Sequence, residues 1–177
     1  SELYGDDFRA AYIAMETKGL AQKTVPARFI WNKMITSMVE TGTPYLCFKD
    51  SINAKSNQSN IGTIRSSNLC TEIMQVSNAE ETAVCNLASV ALNAFVGPDV
   101  ANYDYEGLKA TTRMLVRNIN KVIDKTWYPV PEAKTSNMRH RPMSIGVQGL
   151  ADVFMLYNLA FDCSEARELN RQIFATI

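Results

Sequence analysis

The segment MSIGVQGLADVFMLYNL, residues 143–159, constrains the fold more than any other stretch of this chain. It reads as a short buried strand, a glycine turn and then a helix. Its glycines suit a tight strand-to-helix turn. GVQG lacks the G-x-G-x-x-G pattern of a phosphate-binding loop. Ahead of it, residues 104–125, DYEGLKATTRMLVRNINKVIDK, predict a long amphipathic helix. Asp104 can cap that helix, and Leu108, Met114, Leu115, Ile119, Val122 and Ile123 supply its core face. WYPVPEA ends it with two prolines. A last helix is expected over 165–176 with Ser164 as its cap. Alternation of helix, strand and helix is the pattern of an α/β fold with buried parallel strands.

The first half is less regular. Residues 6–18 have helical spacing of Phe8, Tyr12, Ile13 and Met15, with Gly19 as a stop. Residues 26–40 predict a stronger helix, with Pro26 in its first turn and a stripe of Phe29, Ile30, Trp31, Met34 and Met38. PYLCFK, 44–49, reads as a short strand with Cys47 as a buried filler. Residues 50–68 are polar and rich in Asn and Ser, so they are expected to be loop or short turns. A connection this long inside a domain is usually functional or disordered. AVCNLASVALNAFV, 83–96, predicts a buried strand around 83–86. There is no repeat, no low-complexity tract and no evident second domain.

Eighteen basic residues balance eighteen acidic ones. That leaves no field to attract nucleic acid or an anionic membrane, and RHR at 139–141 is too short to change this. No apolar run approaches the ~20 residues of a membrane helix, and no signal peptide is visible. The chain starts without Met on the lead-in to a helix and stops within a helical pattern, so it is expected to be a piece of a larger protein. The cysteines are Cys47, Cys70, Cys85 and Cys163. Without C-x-x-C, and with His140 as the one histidine, no zinc cluster or other metal site is expected. His140 reads as an exposed loop residue. Four cysteines in such a chain suggest reduced thiols of an intracellular, cytoplasmic protein more than a disulfide scaffold.

The chemistry concentrates in SSNLCTEI, residues 66–73. Cys70 lies between an amide and a carboxylate, with one spacer on each side. A nearby carboxylate opposes thiolate formation, which argues against a conventional nucleophile. In extended backbone Asn68, Cys70 and Glu72 share one face, while Leu69, Thr71 and Ile73 point the other way and anchor the loop. A helix would scatter the three polar groups. One face would then carry an amide that donates and accepts, a protonated thiol and a carboxylate base. That set suits a polyhydroxylated substrate and hydrogen-atom chemistry. The plain alternative is a half-buried cysteine in a loop with a turn-forming Asn and a solvated Glu. Cys85 is open to three readings: a core thiol, a redox thiol facing the same pocket, or a disulfide partner of Cys70.

SNLCTEI (67–73), AVCNLASVALN (83–93), ETGTPY (40–45), KSNQSNIGTI (55–64), YPVPEA (128–133) and RHRPMSIGVQGLADVF (139–154) occur in one order and spacing. In these motifs the chain resembles the large catalytic subunit of class I ribonucleotide reductase, in its eukaryotic and viral type, across nearly its whole length. The resemblance implies that residues 1–177 are part of a ten-stranded α/β barrel, with a finger loop at about 60–75. It implies that Cys70 becomes a transient thiyl radical that removes the ribose 3′ hydrogen. Glu72 is implied as the base for the 3′-hydroxyl proton, and Asn68 as a partner of the ribose hydroxyls. The backbone at Leu69 and Thr71 would line the substrate site. Cys85 would be one half of the redox pair that supplies electrons as the 2′-hydroxyl leaves.

The same resemblance implies a ribonucleoside diphosphate substrate and a small subunit whose metallocofactor generates the radical. It also implies thioredoxin or glutaredoxin as reductant, nucleoside triphosphate effectors on a domain absent here, and a homodimer of the full large subunit. The second redox cysteine, the phosphate loop, the radical-transfer tyrosines and the shuttle cysteines are expected outside this chain. By itself, then, the chain is not expected to reduce nucleotides. Three other readings stand beside this one: another thiyl-radical barrel enzyme such as a glycyl-radical enzyme, a non-catalytic piece that docks to companion polypeptides, and a thiol-disulfide protein.

Overall fold

The computed structural model describes residues 2–177. The chain divides after Ala83 into two units.

The first unit holds α1 (Gly5–Thr17), α2 (Ala27–Thr41) and α3 (Lys49–Ala54), followed by a long irregular segment. α2 starts one residue later than its proline suggests, with Pro26 at the N-cap, and ends on Gly42 in the left-handed region. Neither α1 nor α2 has a buried residue. Phe8, Tyr12, Ile13 and Met15 on α1, and Phe29, Ile30 and Trp31 on α2, are all exposed. The strand expected over 44–49 does not form: residues 43–48 are irregular and α3 begins at Lys49. Pro44 brings no donor to a ladder, and no strand of the described residues lies in this unit to pair with it. Cys47 is exposed rather than a buried filler. The polar run 50–68 is loop and turns apart from α3 at its start.

The second unit contains β1 (Leu87–Ala91), two short 3-10 turns (Leu92–Phe95 and Val100–Asn102), α4 (Tyr105–Lys125), α5 (Pro131–His140), β2 (Ser144–Gln148), α6 (Leu150–Leu156) and α7 (Ser164–Thr176). β1 and β2 run parallel, in a register that sets Leu87 opposite Ser144 and Ala91 opposite Gln148. The expected strand at 83–86 lies four residues further on. Residues 77–83 are instead folded by local capping: the Asn78 side chain accepts from the Glu80 and Glu81 amides, and Ser77 Oγ accepts from the Ala83 amide. Such side-chain-to-backbone bonds compete with a strand ladder. β2 forms as expected but is half-buried to exposed rather than buried.

α4 matches its predicted span, with the Asp104 carboxylate accepting from the Gly107 amide at 2.8 Å. Leu108, Thr112, Ile119 and Ile123 are its buried positions, whereas Met114 and Val122 are exposed. The two prolines bracket a helix that the sequence reading missed. Pro131 opens α5, where a missing N–H does no harm. His140 is the half-buried last residue of α5 and not a loop residue. Gly149 has φ 79° and caps α6, and a Cβ there would meet Asn93 Oδ1 at 2.9 Å. At α7 the cap is Cys163, whose Sγ accepts from the Ala166 amide at 3.4 Å; Ser164 is the first helical residue.

The core of this unit joins Val90, Leu92, Tyr103, Leu108, Val153, Phe154, Ala166, Leu169 and Ile173. Tyr103 is the polar exception. Its hydroxyl donates to the Leu92 carbonyl at 2.9 Å, so burial leaves no donor unsatisfied. Burial, with Tyr105 beside it, pushes its phenol up to about 12.

Candidate functional site

The long segment after α3 is organised as a loop whose tip is residues 67–73. Its limbs carry Ile64 and Val76, the first unit's buried apolar residues among those described, and Gly62 brings the limbs together against the Val76 side chain. At the tip, Ser67 Oγ donates to the Ile73 carbonyl at 2.7 Å, and the Ile73 amide donates to Asn68 Oδ1 at 3.1 Å. Asn68 Nδ2 donates to Glu72 Oε1 at 2.7 Å. One amide side chain therefore both closes the loop and engages the carboxylate.

The expected convergence of Asn68 and Glu72 is present, but extended backbone does not produce it. The Thr71 amide donates to the Asn68 carbonyl at 3.1 Å, which makes a turn of 68–71, and Thr71 has φ 68°. A β-branched residue in the left-handed region costs about 1–3 kcal/mol, which the four hydrogen bonds across the tip offset. Cys70 sits in this turn and is exposed, not half-buried. Leu69 is 88% exposed, so it anchors nothing within its own unit, while Thr71 and Ile73 are half-buried. The turn thus presents a thiol with an amide and a carboxylate held to each other alongside it.

Cys85 lies in the second unit and is exposed, so it is not a core thiol. All four cysteines are thiols in the structure. Its neighbour Asn86 is buried and tightly held. Asn86 Nδ2 donates to Asn137 Oδ1 at 2.6 Å and to the Pro142 carbonyl at 2.9 Å, while its own carbonyl accepts from the Ser144 amide. Asn137 Nδ2 donates to the Tyr128 hydroxyl at 2.5 Å, which donates to the Ile123 carbonyl at 2.6 Å. The thiol is therefore exposed on a backbone fixed by a buried polar network. Nothing in the sequence reading singled out Asn86, Asn137 or Tyr128. The signal available was an Asn following Cys85 at the entry to an apolar run. Among the described residues, no three His, Cys, Asp or Glu side chains group to hold a metal ion.

The decisive comparison is with protein families. The model of the ribonucleotide reductase barrel domain matches residues 1–177. The chain belongs to this family. It is 51% identical over 176 residues to the ribonucleoside-diphosphate reductase large subunit of Caenorhabditis elegans, covering 99% of this chain and 22% of that protein. It is 52% identical to the large chain of Neurospora crassa, over all of this chain and 19% of the relative. The Vaccinia virus large subunit is 52% identical over 99% of this chain and 22% of its own length. Among solved structures, the Actinobacillus ureae class Id ribonucleotide reductase alpha subunit aligns with a TM-score of 0.63 and 33% identity, over 84% of this chain and 29% of that one. The chain thus spans about a fifth of the length of these curated relatives. Membership of the reductase barrel-domain family bears out the resemblance seen in the motifs. Within the described residues this piece contributes two parallel strands, and no helix is long and apolar enough to cross a membrane.

Proposed function

We propose that residues 1–177 are the part of a ribonucleoside-diphosphate reductase large subunit that presents the hydrogen-abstracting thiol, within a ten-stranded α/β barrel whose finger loop spans about 60–75. The observation that carries this reading is the tip itself. An exposed Cys70 sits in a turn whose ends hold Asn68 and Glu72 together.

A metallocofactor in a separate small subunit supplies the unpaired electron. Cys70 gives up its S–H hydrogen atom to the incoming radical, and its sulfur then takes the 3′ hydrogen of the ribose. Glu72 accepts the 3′-hydroxyl proton, and Asn68 exchanges its bond to Glu72 for bonds to the ribose hydroxyls. The backbone at Leu69 and Thr71 lines the same site. The 2′-hydroxyl leaves as water. Two thiols, Cys85 and a cysteine from the remainder of the subunit, give two electrons and two protons and close a disulfide. Glu72 then gives its proton back to the 3′ oxygen, Cys70 returns a hydrogen atom to C3′, and Cys70 regains its S–H hydrogen as the radical leaves. The sum is one ribonucleoside diphosphate and two thiols giving one deoxyribonucleoside diphosphate, one disulfide and one water. Thioredoxin or glutaredoxin reopens the disulfide, in the cytoplasm where such reductants operate. Nucleoside triphosphate effectors and the homodimer contacts belong to other parts of the full subunit. The apolar faces of α1 and α2, exposed in their own unit, suit packing against the rest of the barrel.

Cys85→Ser tests the redox assignment. In a full-length large subunit carrying residues 1–177, this variant is expected to lose repeated turnover driven by thioredoxin, because no disulfide can form and be reduced. Counting product per site under excess reductant reads this directly. Undiminished multiple turnover would remove Cys85 from the redox pair.

A further inference from the structure

Two amide side chains grip the finger loop at matched heights. Asn53 lies on α3 and is only 4% exposed. Its Oδ1 accepts from the Ile64 amide at 2.8 Å, and its Nδ2 donates to the Ile64 carbonyl at 2.9 Å and to the Lys49 carbonyl at 3.0 Å. The side chain thus imitates a neighbouring strand for a single residue. Gln58, in the turns that follow, accepts from the Val76 amide through Oε1 at 2.7 Å. Ile64 and Val76 lie six residues before and six residues after Cys70. One limb of the loop is therefore held by Asn53 and the other by Gln58, both from the nine residues preceding Gly62.

We propose that Asn53 and Gln58 are positioning residues that set the height and tilt of the Asn68–Cys70–Glu72 turn against the substrate. Three features support this. The three bonds to Ile64 and Val76 all involve main-chain groups of the loop, so they fix its path whatever side chains it carries. Asn53 is buried with every polar atom partnered, and a buried amide is costly to retain unless satisfied in this way. Leu69 at the tip is exposed, and the other bonds to the limb, from Thr63 Oγ1 to the Glu2 carbonyl at 2.9 Å and between Arg65 and Glu2, lie at exposed positions. Releasing either grip lets the thiol drift, and a displacement of about 1 Å from a productive geometry costs on the order of 100-fold in rate.

This inference rests on the reading of Cys70 given above, and its test separates the two. In a full-length large subunit carrying residues 1–177, paired with its small subunit, Asn53→Asp, Asn53→Leu, Gln58→Leu and Gln58→Glu are compared with the parent and with Cys70→Ser. The readouts are turnover and the competitive isotope effect with 3′-deuterated nucleoside diphosphate. Asn53→Asp sets a carboxylate oxygen against two carbonyls, and both Leu variants remove the grip. All three are expected to lose about 100-fold in turnover and to show a larger isotope effect, since hydrogen transfer becomes the slow step. Gln58→Glu keeps the acceptor for Val76 and is expected to retain turnover within a few-fold. A merely structural role would lower the active fraction and leave the isotope effect unchanged, and that result overturns the proposal. Equal losses for Gln58→Glu and Gln58→Leu overturn it as well. Active Cys70→Ser would bring down the reading of Cys70 itself, and with it any role in positioning that thiol.

Discussion

Cys70→Ser in a full-length large subunit carrying residues 1–177 is expected to abolish nucleotide reduction, by more than about 10⁴-fold, the scale on which removing a bond-breaking group acts. The reasoning is chemical. An S–H bond is weak enough to give its hydrogen atom to a radical, and the resulting sulfur radical can take one from carbon. A serine O–H bond is too strong to enter that cycle. The substitution is nearly isosteric at a position that is exposed in a turn, so the hydrogen bonds of the tip, which use Ser67, Asn68, Thr71, Glu72 and Ile73, stay in place. Nucleotide affinity is therefore expected to remain within a few-fold of the parent. Turnover by product assay and affinity by equilibrium binding, measured on the same preparation, separate a lost reaction from a lost fold. Residual turnover above about one per cent would remove Cys70 from the chemistry.

The second large effect is at Glu72. Glu72→Gln is expected to lower kcat by about 10²–10⁴-fold, the range for removing a positioned general base. The glutamine keeps a carbonyl oxygen where Glu72 Oε1 now accepts from Asn68 Nδ2 at 2.7 Å, so the bond to Asn68 survives while the base is gone. Glu72→Ala removes both. A loss with Gln close to that with Ala assigns the rate to proton transfer. Activity retained by Gln but not by Ala would assign Glu72 to architecture alone.

The sequence was most informative where one hydrophobic period persisted. α4 is long enough for its stripe and its Asp104 cap to set both ends, and the strand, glycine and helix over 143–159 form in that order. It was least informative where side chains bond to the backbone. The strand expected at 83–86 moved to Leu87–Ala91 because Ser77 and Asn78 fold the residues ahead of it. α5 was hidden because Pro131 was read as a stop when it occupies a helix start. The finger tip shows both outcomes within a few residues. Spacing alone brought Asn68 and Glu72 to one place, but through the wrong backbone. Nothing in a threonine announces a positive φ, and the turn at 68–71 depends on an Asn68 side chain that bonds in two directions. Asn53 and Gln58 were likewise lost in a polar run, although amides preceding the apolar Ile64 could have suggested backbone partners.

In the proposed reaction the Cys70 sulfur breaks the ribose 3′ carbon–hydrogen bond. A competition between 3′-protiated and 3′-deuterated nucleoside diphosphate, run with the full-length enzyme carrying residues 1–177, tests it most directly. Unreacted substrate is expected to become enriched in deuterium as the parent enzyme turns over, and Cys70→Ser is expected to consume neither isotopologue. Turnover by the parent without enrichment, or continued consumption of both by Cys70→Ser, would contradict it.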